Sequence, residues 1–195
     1  MTDTTDTTAA GSTGNRPGED TGPVRFMQQH IALDYAVRVS PLAERFGEQL
    51  LSGRIVGHRC PSCGLVYVPT RAFCPMCTVA MGDDDEVELA DRGIVTSFTV
   101  LTPIQYHGQK EREDYALASI LLEGADGTVG QQRLTDVPLD QIRMGMRVEA
   151  VWAPPEERTG DAAGGRGFGF GNAIEAWRPT GEPDAPTAEF AEHVL

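Results

Sequence analysis

Behind Ser40-Pro41, apolar side chains at Leu42, Phe46 and Leu50 recur at every fourth position. That spacing puts them on one helical stripe, with the Ser40 hydroxyl placed to cap free amides, Pro41 suited to the first turn and Gly53 to the stop. One amphipathic helix is therefore predicted over residues 41–51. Upstream, Phe26, Met27, Ile31, Leu33, Tyr35, Val37 and Val39 are spaced irregularly at first and alternate with polar positions from Ile31 onward. This predicts an extended arm, laid either on the protein's own core or on a partner's surface. Residues 1–23 have almost no bulky side chain and predict a disordered tail.

Past the helix, residues 54–58, with Ile55 and Val56, and the run Leu65 to Val68, ended by Pro69, read as two short strands. Asp83 to Glu86 reads as a solvated acidic hinge, because it lacks the alternating ligands of a calcium loop. Beyond it, residues 87–89, 93–101, 115–122, 127–134, 147–152 and 168–177 are rich in β-branched and aromatic residues, with Gly, Pro or Asp in the gaps. Together with a helical turn near residues 138–143, they predict a small closed barrel of the OB type. Its expected core is Val95, Phe98, Val100, Leu117, Ile120, Val148, Val151 and Ile174. Two loops exceed what such a barrel needs. Residues 102–114 carry Tyr106, His107, Lys110 and Arg112, without a recognisable catalytic partner for the histidine. Residues 154–171 are glycine-rich, but they do not join a strand to a helix as a dinucleotide fingerprint must.

All four cysteines fall in one stretch, Cys60-Pro-Ser-Cys63 and Cys74-Pro-Met-Cys77, with ten residues between the pairs. Paired Cys-x-x-Cys turns wrap four thiolates around one metal ion. Gly64 supplies the left-handed backbone that follows such a turn, whereas Thr78 in the matching place predicts a less strained second turn. Structural zinc is the expectation, and iron uses the same four sulfurs in rubredoxins. Two disulfides or a redox dithiol are the alternatives. The N-terminus, however, has neither the basic start nor the apolar stretch of a signal peptide, which points to a reducing cytoplasm. Four thiolates leave no open position, so the ion is not expected to be catalytic.

The fold class is thus mainly β: an N-terminal helix and rubredoxin-like zinc ribbon, then a C-terminal OB-fold barrel. The expected boundaries are a tail over 1–23, arm and helix over 24–53, ribbon over 54–82, barrel over 83–178 and a C-terminal tail over 179–195. A formal net charge of −13 disfavours a nucleic-acid backbone as partner. No run of about eighteen apolar residues is present to span a membrane. Within this acidic chain, residues 49–81 contain no Asp or Glu, yet hold Arg54, Arg59, Arg71 and His58. Two readings stand: the arginines offset the roughly two negative charges of a tetrathiolate zinc centre, or they face an anionic ligand or an acidic partner.

The order of capped helix, Gly53-Arg54-Ile55-Val56-Gly57-His58-Arg59-Cys60-Pro-Ser-Cys63-Gly64, Tyr67-Val68-Pro69, Arg71, Cys74, Cys77 and Gly93-Ile94-Val95-Thr96-Ser97-Phe98-Thr99 resembles the zinc-ribbon plus OB-fold family known as domain of unknown function thirty-five. The likeness continues through residues 143–150 and 178–186. It implies a non-catalytic partner of thiolase-fold enzymes acting on acyl-CoA. It is most similar to members accompanying lipid-transfer-protein-type aldolases in steroid side-chain degradation. There the partner performs retro-aldol cleavage of a β-hydroxyacyl-CoA. Sister roles beside a thiolase, a synthase or a hydratase are the alternatives, the last weakened because the hot-dog-fold domain fused to some relatives is missing. A nucleic-acid-binding ribbon-barrel protein and an independent enzyme are the remaining classes. On the accessory reading the chain sits in a hetero-oligomer, and Arg54, Arg59 and Arg71 lie near the CoA phosphates.

Overall fold

The computed structural model describes residues 38–103, 112–158 and 173–194. The expected tail, most of the arm, Tyr106, His107, Lys110 and the Gly164–Gly169 run lie outside them. The chain divides into two units, Val37–Leu101 with Tyr115–Leu195 and Met1–Ala36 with Thr102–Asp114, and every element below belongs to the first.

Helix α1 spans Pro41–Leu51, as the four-residue spacing predicts, and the Ala43 N–H donates to Ser40 Oγ at 3.2 Å. Phe46 and Leu50 are buried at its inner face. Gly53 ends it with φ +79°, and Arg158 closes it by donating from Nη1 to Leu51 O at 3.3 Å. A cation over the last turn complements the helix dipole.

Strands β1 (Ile55–Arg59), β2 (Val66–Tyr67) and β3 (Glu86–Leu89) form an antiparallel sheet in the order β2-β1-β3. Residues 86–89, expected to open the barrel, pair with the ribbon's β1, with Ile55 opposite Leu89 and His58 opposite Glu86. The acidic hinge is a short 3-10 turn at Asp83–Asp85. Glu86, directly after it, accepts from Arg45 Nε and Nη2 at 2.6 and 3.0 Å and from Gln49 Nε2 at 3.0 Å, tying the ribbon to α1.

The second sheet holds β4 (Arg92–Leu101), β5 (Tyr115–Leu122), β6 (Thr128–Arg133), β7 (Arg147–Trp152) and β8 (Ile174–Pro179) in the order β6-β5-β4-β7-β8. A parallel bridge from Leu134 to Trp177, with the Thr135 N–H donating to Trp177 O at 2.9 Å, joins the two outer strands. The expected closed barrel is therefore an OB-type curl, whose edges meet at that bridge without a continuous ladder.

Val95, Ile120, Val148 and Ile174 are buried as expected, around a Trp177 with no exposed surface. Leu117 and Val151 are only half-buried, because each stands three residues from an inward neighbour, Ile120 or Val148, and so points to the opposite strand face. A bulge at Thr96 moves inward parity in β4 from Val95 to Phe98 and Val100, opposite Ala118 and Ala116. These two nevertheless remain 38% and 42% exposed, because the ladder of β4 with β7 covers Arg92 to Ile94 and β4 runs on past it. Gly93 is required on the inner face, since a Cβ there would stand 2.5 Å from Leu121 O.

The outer face of β4 and β5 is also covered. Ile94 and Leu121 pack with Ala185 and Phe190 of the C-terminal segment, which the Ala185 N–H to Gly145 O bond, at 2.8 Å, holds in place.

Candidate metal centre

Both Cys-x-x-Cys turns are built alike. In the first, the Gly64 N–H donates to Cys60 O at 2.9 Å and the Cys60 N–H to Leu65 O at 2.8 Å; in the second, the Thr78 N–H donates to Cys74 O at 2.8 Å and the Cys74 N–H to Val79 O at 2.9 Å. Gly64 has φ +78° and Thr78 φ +56°. The expectation of a less strained second turn is therefore wrong: closing the same hydrogen-bonded loop forces Thr78 into the left-handed region despite its branched side chain.

These loops aim the four sulfurs at one point, all within 4.8 Å of one another. The cysteines are free, and Cys63 Sγ lies 3.7 Å from Cys74 Sγ. Tetrahedral zinc with Zn–S bonds of about 2.3 Å places its sulfurs roughly 3.8 Å apart, so the donor set fits zinc. Backbone N–H groups of Ser62 and Cys63 point at Cys60 Sγ from 3.4 and 3.5 Å, and that of Cys77 at Cys74 Sγ from 3.4 Å, the donors that stabilise thiolates. Burial opposes ionisation of Cys74, but the Cys77 and Met76 amides and the Tyr67 hydroxyl, 3.8 Å away, bring it down to about 6. At Cys63 the Leu65 amide favours the thiolate, yet burial and the crowding of the other three sulfurs push it up to about 12. A dication at the centre removes that conflict by favouring all four thiolates together.

Tyr67, a strand residue that is also among those resembling the family, carries no sequence signal of a role at the site; burial first, then its bond to Cys74 Sγ, raises its hydroxyl to about 12. The three arginines have separate partners. Arg54 pairs with Glu88 at 3.8 Å, Arg59 donates to Gly64 O at 3.2 Å, and Arg71 stacks over the Tyr67 ring at 5.7 Å. Arg59 also shares a cleft with Asp84, Asp85 and Glu86, so this side of the ribbon carries both signs of charge. His58 is buried, and its Nδ1 lies 2.8 Å from Arg71 O.

Residues 48–80 match the family profile described as "ChsH2, rubredoxin-like zinc ribbon domain", and residues 86–153 that described as "ChsH2, C-terminal OB-fold domain". These profiles support zinc and lend iron no support. A DUF35 domain-containing scaffold protein of Methanocaldococcus jannaschii is 31% identical over 116 residues, 60% of this chain and 79% of that protein. One from Methanothermobacter thermautotrophicus is 30% identical over 117 residues, 60% of this chain and 84% of that protein. The solved structure of the "Ltp2-ChsH2(DUF35) aldolase" aligns with TM-score 0.51 at 22% identity, over 74% of this chain and 98% of that one. With a ribbon that gathers four sulfurs and an OB-type curl behind it, the chain belongs to the DUF35 family.

Proposed function

We propose that this chain is a non-catalytic accessory subunit of a thiolase-fold acyl-CoA aldolase, in a cytoplasmic hetero-oligomer. The partner cleaves a steroid side-chain β-hydroxyacyl-CoA by a retro-aldol reaction, and this chain stabilises it and shapes the entrance for the CoA substrate. The observation that carries the reading is the closed sulfur site: four thiolates fill a tetrahedral ion's coordination sphere, leaving a cross-link and not a reaction centre. The description of its relatives as scaffold proteins supports the role, as does the likeness in fold to a chain of the Ltp2-ChsH2 aldolase. Free thiols suit a reducing compartment.

The test is cleavage of β-hydroxyacyl-CoA by this chain alone, by the thiolase-fold subunit alone and by the two together. Activity that requires the thiolase-fold subunit and rises when this chain is added is expected; turnover by the isolated chain overturns the assignment. Within this reading, Arg54, Arg59 and Arg71 lie toward the CoA phosphates. Changing Arg59→Glu with Arg71→Glu raises the KM for the CoA substrate at unchanged zinc content, and an unchanged KM removes the arginines from that role.

A further inference from the structure

The two metal-binding turns match in backbone but differ in dress. The first exposes Pro61, Ser62 and Gly64, whereas the second exposes Phe73, Met76 and Val79, at 61%, 73% and 37%. Phe73 bridges to Ala80, so all three apolar side chains sit on one short hairpin. The sulfur ligands Cys74 and Cys77 lie in the same hairpin, so a bound ion locks its backbone before any partner arrives. A backbone fixed in advance leaves only side-chain rotamers to be ordered on docking, which favours an interface dominated by a few residues.

The surroundings indicate what the hairpin meets. Arg71, exposed and stacked on Tyr67, is two residues from Phe73, and residues 49–81 carry no carboxylate in a chain of net charge −13. A partner surface bearing carboxylates is repelled by most of this molecule and not by this hairpin. We infer that the Phe73–Val79 hairpin is the docking surface for a partner subunit, inserting Phe73 and Met76 into an apolar pocket rimmed by acidic side chains that Arg71 meets. This rests on the accessory-subunit reading and gives it a contact face.

The experiment mixes the full-length, zinc-loaded chain with the thiolase-fold subunit from the same host and measures the Kd by sedimentation and surface binding. Met76→Glu and Phe73→Ser are each expected to weaken association at least tenfold, with zinc content and Tm unchanged. Arg71→Glu weakens it further at low salt than at high salt. Met144→Glu, an exposed apolar position outside the ribbon, leaves the Kd unchanged. If the complex forms but the hairpin variants bind as tightly as the parent, the surface assignment falls and the accessory role stands. Failure of the unsubstituted chain to bind overturns both. A mass that halves in Met76→Glu while partner binding is kept assigns the hairpin to a second copy of this chain and overturns the proposal.

Discussion

Asp126 and Val66 hold each other twice: the Val66 N–H donates to Asp126 Oδ2 and the Asp126 N–H donates to Val66 O, both at 2.8 Å. Val66 belongs to the short ribbon strand between the cysteine pairs, and Asp126 to the turn joining β5 to β6, so this pair clasps ribbon to barrel. Asp126→Ala deletes one bond and leaves the Val66 amide without its carboxylate. A loss of about 1–2 kcal/mol in urea unfolding is expected. In the same variant, zinc removal should perturb barrel tryptophan fluorescence less than in the parent.

Removing the metal should be far costlier. Cys60 and Cys74 are buried with little apolar surface around them apart from Tyr67, Met81 and Leu65, too small a cluster to hold the two cysteine turns unaided, whereas Ile55 and Val68 of the ribbon pack into the main core. Cys74→Ser, or a strong chelator, is expected to abolish zinc retention and to melt the amides of residues 60–64 and 74–79 in NMR spectra while the core signals, those of Ile55 and Val68 included, persist.

Thr78 and Gly64 occupy equivalent positions with φ of +56° and +78°. Thr78→Gly should therefore stabilise the holo protein by up to about 1 kcal/mol, and Gly64→Thr destabilise it by about 1–2 kcal/mol. Thermal unfolding of the zinc-loaded variants measures both.

Glu86 carries a pH dependence of known sign. Its bonds from Arg45, then from Gln49, hold its carboxyl below the ordinary range against the cost of burial. A carboxylate whose folded pKa is depressed contributes fully above its unfolded value of about 4.3, and that contribution disappears as pH falls through the folded value. Glu86→Gln should cost about 1 kcal/mol at neutral pH, the half-exposed Arg45 screening the pair, and the gap between parent and variant should close under acid. A gap that stays constant from pH 7 to pH 3 would refute this.

Phe190 lies 4% exposed against Ile94 and Leu121. Phe190→Ala is expected to lose about 3 kcal/mol in chemical denaturation, showing that the last turns of the chain belong to the fold.

Much of this architecture was legible because its signals are local. The α1 stripe, the Ser40 cap, the cysteine spacing and the barrel strands each depend on neighbours a few residues apart. Contacts that close over long separations carry no such signal: nothing near Asp126 announces Val66, and nothing near Phe190 announces Ile94. Side-chain direction is misjudged where a spacing of three is accepted within one strand, at Leu117 with Ile120 and at Val148 with Val151. The turn at Thr78 is misjudged by weighing its branched side chain alone, when metal-directed ring closure dictates its backbone. Phe73, Met76 and Val79 do leave a trace, as apolar residues around a knuckle that no strand or helix uses.

The meeting of Leu134 with Trp177 has a mechanical consequence. A rolled sheet tacked along one margin is not a welded tube: its girth is held by that tack, by the Trp177 Nε1–H donating to Gln132 Oε1 at 3.2 Å across the same seam, and by the buried core behind them. The broad indole at the seam then acts as the wedge that sets how far the roll tightens, so the same residue that fills the centre also fixes the bore.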